Sequence, residues 1–487
     1  VPPDRAAVPQ PGPHAPVPAR ARLASGVGAA LGSLSRATGR GSGSVVGGHA
    51  ILAIEPRALE VFSGGRQVTL VSGTNGKTTT TKLLARALGA AAGSEVVTNL
   101  SGANLPTGLV AALAAGRPGA PAVLEVDEAW LGRVAAKVRP AVLVLLNLSR
   151  DQLDRNNEVR HVARRWREAC ERLPPGAVVV ANADDPLVAW AAGGAHGVHW
   201  VGAGLNWKDD AAGCPECGGP VLFGDGQPEG PAGGWKCGAC GLQRPVPHLW
   251  LDRAVPGGCA VLGSGARYDL NLPLPGRCNQ ANAVTALAAL VALGYGIDLP
   301  LAAMAEVREV AGRYATLPAG GAEARLLLAK NPAGWAEVFD MLSPAPGPVV
   351  VAINARTADG HDPSWLWDVP FEQLAGRPVV ATGERYLDVA VRLHYAGVDH
   401  VSEPDLLEAV KVAGGRGTGK RRAVDVVANY TSFHQLLARL RNGPGAPGGA
   451  SGGAGVAGGT GAGGTGAGGT GAGGATGPGA INPRQAR

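Results

Sequence analysis

The segment from Val68 to Thr80 narrows what this chain can fold into more than any other. Val68-Thr69-Leu70-Val71-Ser72 is a short apolar run rich in β-branched residues and reads as a buried strand. Gly73-Thr74-Asn75-Gly76-Lys77-Thr78-Thr79-Thr80 follows at once, and Lys82–Leu88 is made of helix formers. A strand, a glycine turn and a helix start, in that order, form an anion site. Glycines let backbone N–H groups converge on phosphate oxygens, and the helix end adds partial positive charge. Lys77 supplies a point charge for the β- and γ-phosphates of ATP, and the Thr78 hydroxyl suits Mg²⁺. The general phosphate-loop spacing has glycine where this chain has Val71, so the loop is a shortened form. A glycine turn without a ligand is the bland alternative; the agreement of strand, turn and helix weighs against it.

Further apolar runs at Ala122–Val126, Ala141–Leu146 and Ala177–Val180 alternate with helix-like stretches such as 161–172. That alternation implies βαβ units and a mainly parallel sheet, hence the α/β class. A Cys- and Gly-rich stretch interrupts the pattern before a helix from Asn279 to Leu293. A second alternating region has strands at Arg325–Ala329, Pro348–Ile353 and Pro378–Ala381, with helices at 334–342, 384–396 and 404–413. The expected layout is a disordered end at 1–20 and a helical segment at 21–60 with Leu23, Val27, Leu31 and Leu34 on its apolar side. A phosphate-loop domain at 61–317 carries an insertion at about 205–247, and a smaller α/β domain spans 318–442. Residues 443–487 are Gly-rich repeats with no apolar side chains to offset the entropy of ordering, so disorder is expected there.

The formal charge of +6 is modest over 487 residues, and no basic-aromatic stripe appears, which argues against a nucleic-acid binder. Arg5, Arg20, Arg22, Arg36 and Arg40 face only Asp4 in the first forty residues. That end reads as solvated, with contact to an anionic membrane surface as the other reading. No run is long and apolar enough to cross a bilayer and no signal-peptide pattern is visible, so a cytoplasmic location is expected.

Cys214-x₂-Cys217-x₁₉-Cys237-x₂-Cys240 has the spacing of a zinc ribbon. Four thiolates saturate tetrahedral Zn²⁺ and leave no open position, so the site is structural rather than catalytic. Cys170, Cys259 and Cys278 stand in no recognisable nucleophile setting and read as ordinary buried or half-buried residues.

The loop Gly73-Thr74-Asn75-Gly76-Lys77-Thr78-Thr79 resembles that of the Mur ligase superfamily, which includes folylpolyglutamate synthase. Four more segments match in order: Val123-Leu124-Glu125-Val126-Asp127-Glu128, Asn147-Leu148-Ser149-Arg150-Asp151-Gln152-Leu153-Asp154, Ala181-Asn182-Ala183-Asp184-Asp185-Pro186, and Asn279-Gln280-Ala281-Asn282 followed by Gly312-Arg313. The resemblance implies an ATP-dependent ligase that activates a carboxylate as an acyl phosphate. It makes Glu125 a magnesium ligand, Asn282 a contact to adenine, and Arg313 a contact to phosphate. Gln152 stands where the family has a histidine that often binds a second magnesium.

Within the superfamily, Leu328-Ala329-Lys330-Asn331-Pro332, Ala358-Asp359-Gly360-His361-Asp362-Pro363-Ser364-Trp365-Leu366-Trp367 and Asn429-Tyr430-Thr431-Ser432 resemble the MurT family, as does the ribbon. That resemblance implies amidation of the D-glutamate α-carboxylate of the lipid II stem peptide to D-isoglutamine, in peptidoglycan synthesis. The ammonia would come from a GatD-type glutaminase partner. Lys330 would neutralise charge on the transferring phosphoryl group, and Asp362 would reach across to orient the partner's catalytic histidine. Turn capping is the plainer reading of Asp359, Asp362 and Asp368. The competing function is a stand-alone amino-acid ligase of the Mur or folylpolyglutamate type, against which the Asp362 loop and the lack of a UDP-gripping N-terminal domain count.

Overall fold

The computed structural model describes residues 16–38, 43–99, 103–151, 159–224, 230, 233–310, 313–319, 321–343, 347–416 and 423–442. Gln152, Asp154, Gly312, most of the expected disordered end and the Gly-rich tail lie outside them. Helices α1 (Ala19–Ala37), α2 (Ser44–Ile54) and α3 (Ala58–Ser63) come first. Then follow β1 (Val68–Ser72), α4 (Lys77–Ala92), β2 (Val97–Thr98), α5 (Pro106–Ala115), β3 (Ala122–Glu125), α6 (Leu131–Val138) and β4 (Val142–Leu145). After them come α7 (Val159–Glu171), β5 (Val178–Asn182), α8 (Pro186–Ala192) and β6 (Val198–Gly202). A hairpin of β7 (Val221–Phe223) and β8 (Trp235–Cys237) precedes β9 (Leu249–Asp252), β10 (Cys259–Leu262), β11 (Arg267–Asp269), α9 (Arg277–Ala292) and α10 (Asp298–Met304).

The large sheet has nine strands in the order β11-β10-β9-β6-β5-β4-β1-β3-β2. Its pairs are parallel from β2 through β9, and β9, β10 and β11 close one edge antiparallel. Because strand side chains alternate in direction, Leu70, Leu124 and Leu143 enter one core with α5, α6 and α7. Val71, Val123 and Val142 enter another with α4, α9 and α10. Both faces are covered, which is why these strands read as unbroken apolar runs.

The second sheet is built from β12 (Tyr314–Ala319), β13 (Ala322–Leu328), β14 (Val349–Ala352), β15 (Val379–Thr382), β16 (His400–Ser402) and β17 (Ala423–Ala428). Its order is β12-β13-β17-β14-β15-β16, parallel except for β12 against β13. Helices α11 (Pro332–Met341), α12 (Tyr386–Tyr395), α13 (Leu406–Arg416) and α14 (Tyr430–Asn442) accompany it. The division drawn at 317/318 falls inside β12, which pairs with β13 along its whole length and so belongs to the second sheet.

The helical segment near the N-terminus turns a different face inward from the one expected. Leu23, Leu31 and Leu34 are exposed, while Ala21, Ala24, Gly28, Gly32 and Ser35 are buried. The reason is close backbone approach: a Cβ on Gly28 would stand 2.9 Å from Gly47 O and 2.5 Å from the Ile51 side chain. A leucine cannot occupy a seam that narrow. Among the described residues no helix is long and apolar enough to cross a membrane.

Candidate active site

The glycine turn sits between β1 and α4, as the sequence required. Gly76 is left-handed at φ 85°, and a Cβ on it would come within 2.6 Å of Asn282 Oδ1. Gly73, at φ 153°, would place a Cβ 2.8 Å from that of Leu146. Any side chain at either place would be strained or would collide. The loop is held by the end of β4. Asn147 Oδ1 accepts from Asn75 N at 2.9 Å, and its Nδ2 donates to Asn75 O at 3.0 Å. Thr74 Oγ1 donates to Ser149 O at 3.1 Å and accepts from Ser149 N at 3.0 Å. Thr79 lines the cleft beside the loop.

Lys77 and Thr78 begin α4, and both are buried. Thr78 Oγ1 donates to Glu125 Oε2 at 2.7 Å, while Asn104 Nδ2 lies 3.4 Å from Oε1. Asn99 fixes the Glu125 backbone in both directions, at 2.8 Å each. A hydroxyl and a carboxylate side by side are hard oxygen donors, so this pair fits Mg²⁺. Lys77 Nζ donates to Glu128 Oε2 at 3.0 Å and to Thr74 O at 3.2 Å. Burial disfavours the Lys77 charge, but Glu128, Glu125 and Asp151 outweigh it and hold the pKa above the ordinary lysine value.

Residues of the second sheet reach this loop. Lys330, between β13 and α11, pairs with Asp151, and Asn331 Nδ2 lies 3.4 Å from Asp151 Oδ1. Asn331 Oδ1 also accepts from Asn75 Nδ2 at 3.3 Å and caps α11 through Gly334 N at 2.8 Å. Burial works against the Asp151 charge, yet Lys330 prevails and its pKa lies below the usual carboxylate value. The cleft between the sheets is lined by Asn282, Arg313, Asn206, Trp207, Cys278 and Glu337, among others. Asn282 accepts from Thr80 Oγ1 at 3.2 Å, so it stands against the glycine turn. One buried oxygen of Glu337 has no hydrogen-bond partner among the described residues, and burial pushes that carboxyl up to about 7. A largely apolar cleft with a few convergent polar groups and a cradle at one end suits a nucleotide.

Asp362 is exposed on the second domain, its Oδ1 accepting from Ser364 N at 2.8 Å at the start of a 3₁₀ turn over Ser364–Asp368. Asp359 is buried and accepts from Thr431 N at 2.9 Å and from the Thr431 hydroxyl, so its role is structural. The site has members to which the sequence reading gave no role. Asn147 and Asp151 stood at the fixed positions of a matched segment, and Glu128 closed another. Glu337 gave no signal at all.

The four cysteines of the hairpin converge, their sulfurs all within 4.8 Å of one another. Gly219 N donates to Cys217 Sγ at 3.4 Å, and Ala239 N and Cys240 N to Cys237 Sγ at 3.3 Å each. Backbone donors favour thiolates, and four of them at this spacing fit Zn²⁺ with no open position. Trp235 Nε1 donates to Ala183 O at 2.9 Å, and Arg244 pairs with Asp184 at 2.6 Å, stapling the hairpin to the turn before α8. With Arg244 buried in that pair, the ribbon does not offer it to nucleic acid. Cys170 and Cys259 are buried and Cys278 is half-buried, as expected.

A family model for the Mur ligase middle domain matches residues 71–211, and one for the MurT ligase C-terminal domain matches 328–433. The lipid II isoglutaminyl synthase (glutamine-hydrolyzing) subunit MurT of Streptococcus pneumoniae is 30% identical over 425 residues, covering 82% of this chain and 93% of that protein. The subunit of the same name from Staphylococcus aureus is 28% identical over 400 residues, covering 77% and 87%. A pseudomurein peptide ligase from Methanothermus fervidus shares the fold at TM-score 0.58 and 19% identity, over 77% of this chain and 78% of that one. Folylpolyglutamate synthase from Mycobacterium tuberculosis, complexed with ADP, does so at 0.55 and 17%, over 82% and 99%. A Mur-type nucleotide fold, the cysteine hairpin set within it and a C-terminal domain of the MurT kind occur together, and the chain belongs to the MurT family of Mur ligases.

Proposed function

We propose that this chain is the ligase subunit of a lipid II isoglutaminyl synthase, working in peptidoglycan synthesis at the inner face of the cell membrane. The D-glutamate α-carboxylate of the stem peptide attacks the γ-phosphorus of ATP, the bond to ADP breaks, and an acyl phosphate forms. Ammonia then attacks the acyl carbon, loses a proton, and expels phosphate to leave D-isoglutamine. The glycine turn, Lys77 and Thr78 hold the phosphates, and Thr78 with Glu125 would hold Mg²⁺, which would supply positive charge beside the phosphates. Asn282 and Arg313 serve the adenine and phosphate ends of the nucleotide. Lys330 enters from the second domain, paired with Asp151, where a cation can stabilise the transferring phosphoryl group. Closure of the two domains excludes water, a competing nucleophile.

The observation that carries the amidation reading is the surface around Asp362. Trp367 is exposed and packs edge-on against exposed Tyr395 at 5.5 Å. Leu387, Val391 and Tyr395 recur every four residues on α12 and are all exposed. An apolar, aromatic face beside an exposed carboxylate suits a protein partner, and the reading makes that partner a GatD-type glutaminase. There Asp362 orients the catalytic histidine in trans, as the third member of a Cys-His-Asp set. The test is amidation of lipid II by the chain alone with ammonium and ATP, and by the co-expressed pair with glutamine. Asp362→Ala should keep the ammonium reaction and lose at least about 100-fold of the glutamine reaction. Transfer of a free amino acid in place of ammonia would establish the stand-alone ligase instead.

A further inference from the structure

Leu23, Val27, Leu31 and Leu34 recur at spacings of four, four and three, which sets them along one side of α1. This stripe lies beside the seam of Ala21, Ala24, Gly28, Gly32 and Ser35, not within it. Leu23 is 63% exposed, Leu34 60% and Leu31 38%, and α2 adds Val45 at 48% and Val46 at 47%. Large aliphatic side chains gathered on two neighbouring helices mark a surface that meets something apolar.

Charge says what that something is. From residue 16 to residue 55 the sequence has Arg20, Arg22, Arg36 and Arg40 against a single acid, Glu55, which stands 3.9 Å from Arg20. An apolar helix stripe in a segment of net positive charge is the profile of a helix lying in the headgroup region of an anionic bilayer. A protein partner for such a stripe would leave the one-sided charge unexplained. Position agrees. Helix α2 is seated on the start of α5, so closely that a Cβ on Gly48 would come within 2.0 Å of Thr107 O. Helix α5 begins just after Asn104, whose amide reaches Glu125. The hairpin therefore rests on the element that borders the phosphate-transfer site.

We propose that the outer face of the α1–α2 hairpin docks in the interface of an anionic membrane and holds the site at the height of a lipid-anchored acceptor. This rests on the lipid II reading, since a soluble acceptor would need no such anchor. The test is sedimentation of the full chain with vesicles of phosphatidylcholine alone and of phosphatidylcholine mixed with phosphatidylglycerol. Binding should require phosphatidylglycerol and weaken with salt. The double variant Leu23→Glu, Leu34→Glu changes two exposed positions, so its melting temperature should match the wild type while vesicle binding falls at least about tenfold. Its amidation of lipid II in vesicles should fall with binding, and its amidation of a water-soluble stem-peptide fragment should not. Wild-type indifference to phosphatidylglycerol vesicles, or equal binding by the variant, overturns the proposal. A change from dimer to monomer in the variant by light scattering also overturns it and gives the face to a second copy. Vesicle binding that follows the stripe without any amidation supports the docking face and refutes the lipid II reading, so the two failures are separable.

Discussion

Asn147 grips Asn75 by both ends of its neutral side-chain amide. Each such neutral bond contributes about 1 kcal/mol net to stability, so Asn147→Ala should lower the melting temperature by a few degrees, and we expect it to weaken ATP binding roughly tenfold by calorimetry. An unchanged Kd would mean the loop is rigid without the clamp. Glu337 offers a pH test. Its carboxyl is raised from 4.5 to about 7 by burial, near Arg277 and Asp340. A raised acid lends stability that is complete below the unfolded pKa and is lost as pH climbs through the folded one. Melting temperature should therefore decline between about pH 5 and pH 8 more steeply in the wild type than in Glu337→Gln, by up to about 3 kcal/mol in stability. Parallel curves would rule this out. The contrast between the two residues explains legibility. Lys77 and Thr78 were readable because the loop chemistry is local, and Glu125 through the resemblance of its segment, whereas Glu337 is made unusual by α9 and the Asn206 loop, which only folding brings to it.

At the level of elements, periodicity identified α1 but not its inner face. Leucine stripes usually point inward, and here two glycine-bearing helices meet backbone to backbone. Gly28→Val should therefore cost about 1–3 kcal/mol by overpacking, while Leu31→Ser should stay within about 0.5 kcal/mol, both read from denaturant melts. The reverse ranking would restore the leucine-inward helix. Strands β1, β3, β4, β5, β13, β14 and β15 were legible because covered parallel strands are apolar on both sides, whereas β2, β6, β12, β16 and β17 went unread. The antiparallel edge β9–β11 was not legible either, because it follows the cysteine stretch with no helix between and exposes polar residues such as Arg267 and Asp269.

Across the whole molecule, Lys330 and Asn331 tie the second domain to the phosphate loop through Asp151 and Asn75. We expect Lys330→Ala to leave ATP affinity within a few fold, lower turnover by roughly 100-fold, and enlarge the radius of gyration in solution scattering. A variant as compact as the wild type would show that the pair does not hold the domains together. The cysteine hairpin has a wider consequence. Strands β6 and β9 are parallel neighbours, so the chain between them must travel back along the sheet, a task usually given to a helix. A helix assembles from its own local bonds; four cysteines assemble around an ion. We therefore expect the last three strands of the large sheet to depend on metal supply, a chain made without zinc carrying an intact phosphate loop on an unfinished sheet. Limited proteolysis of protein from zinc-starved cells should cut between β6 and α9 first, and resistance there equal to that of the zinc-replete protein would show that the crossover folds without its ion.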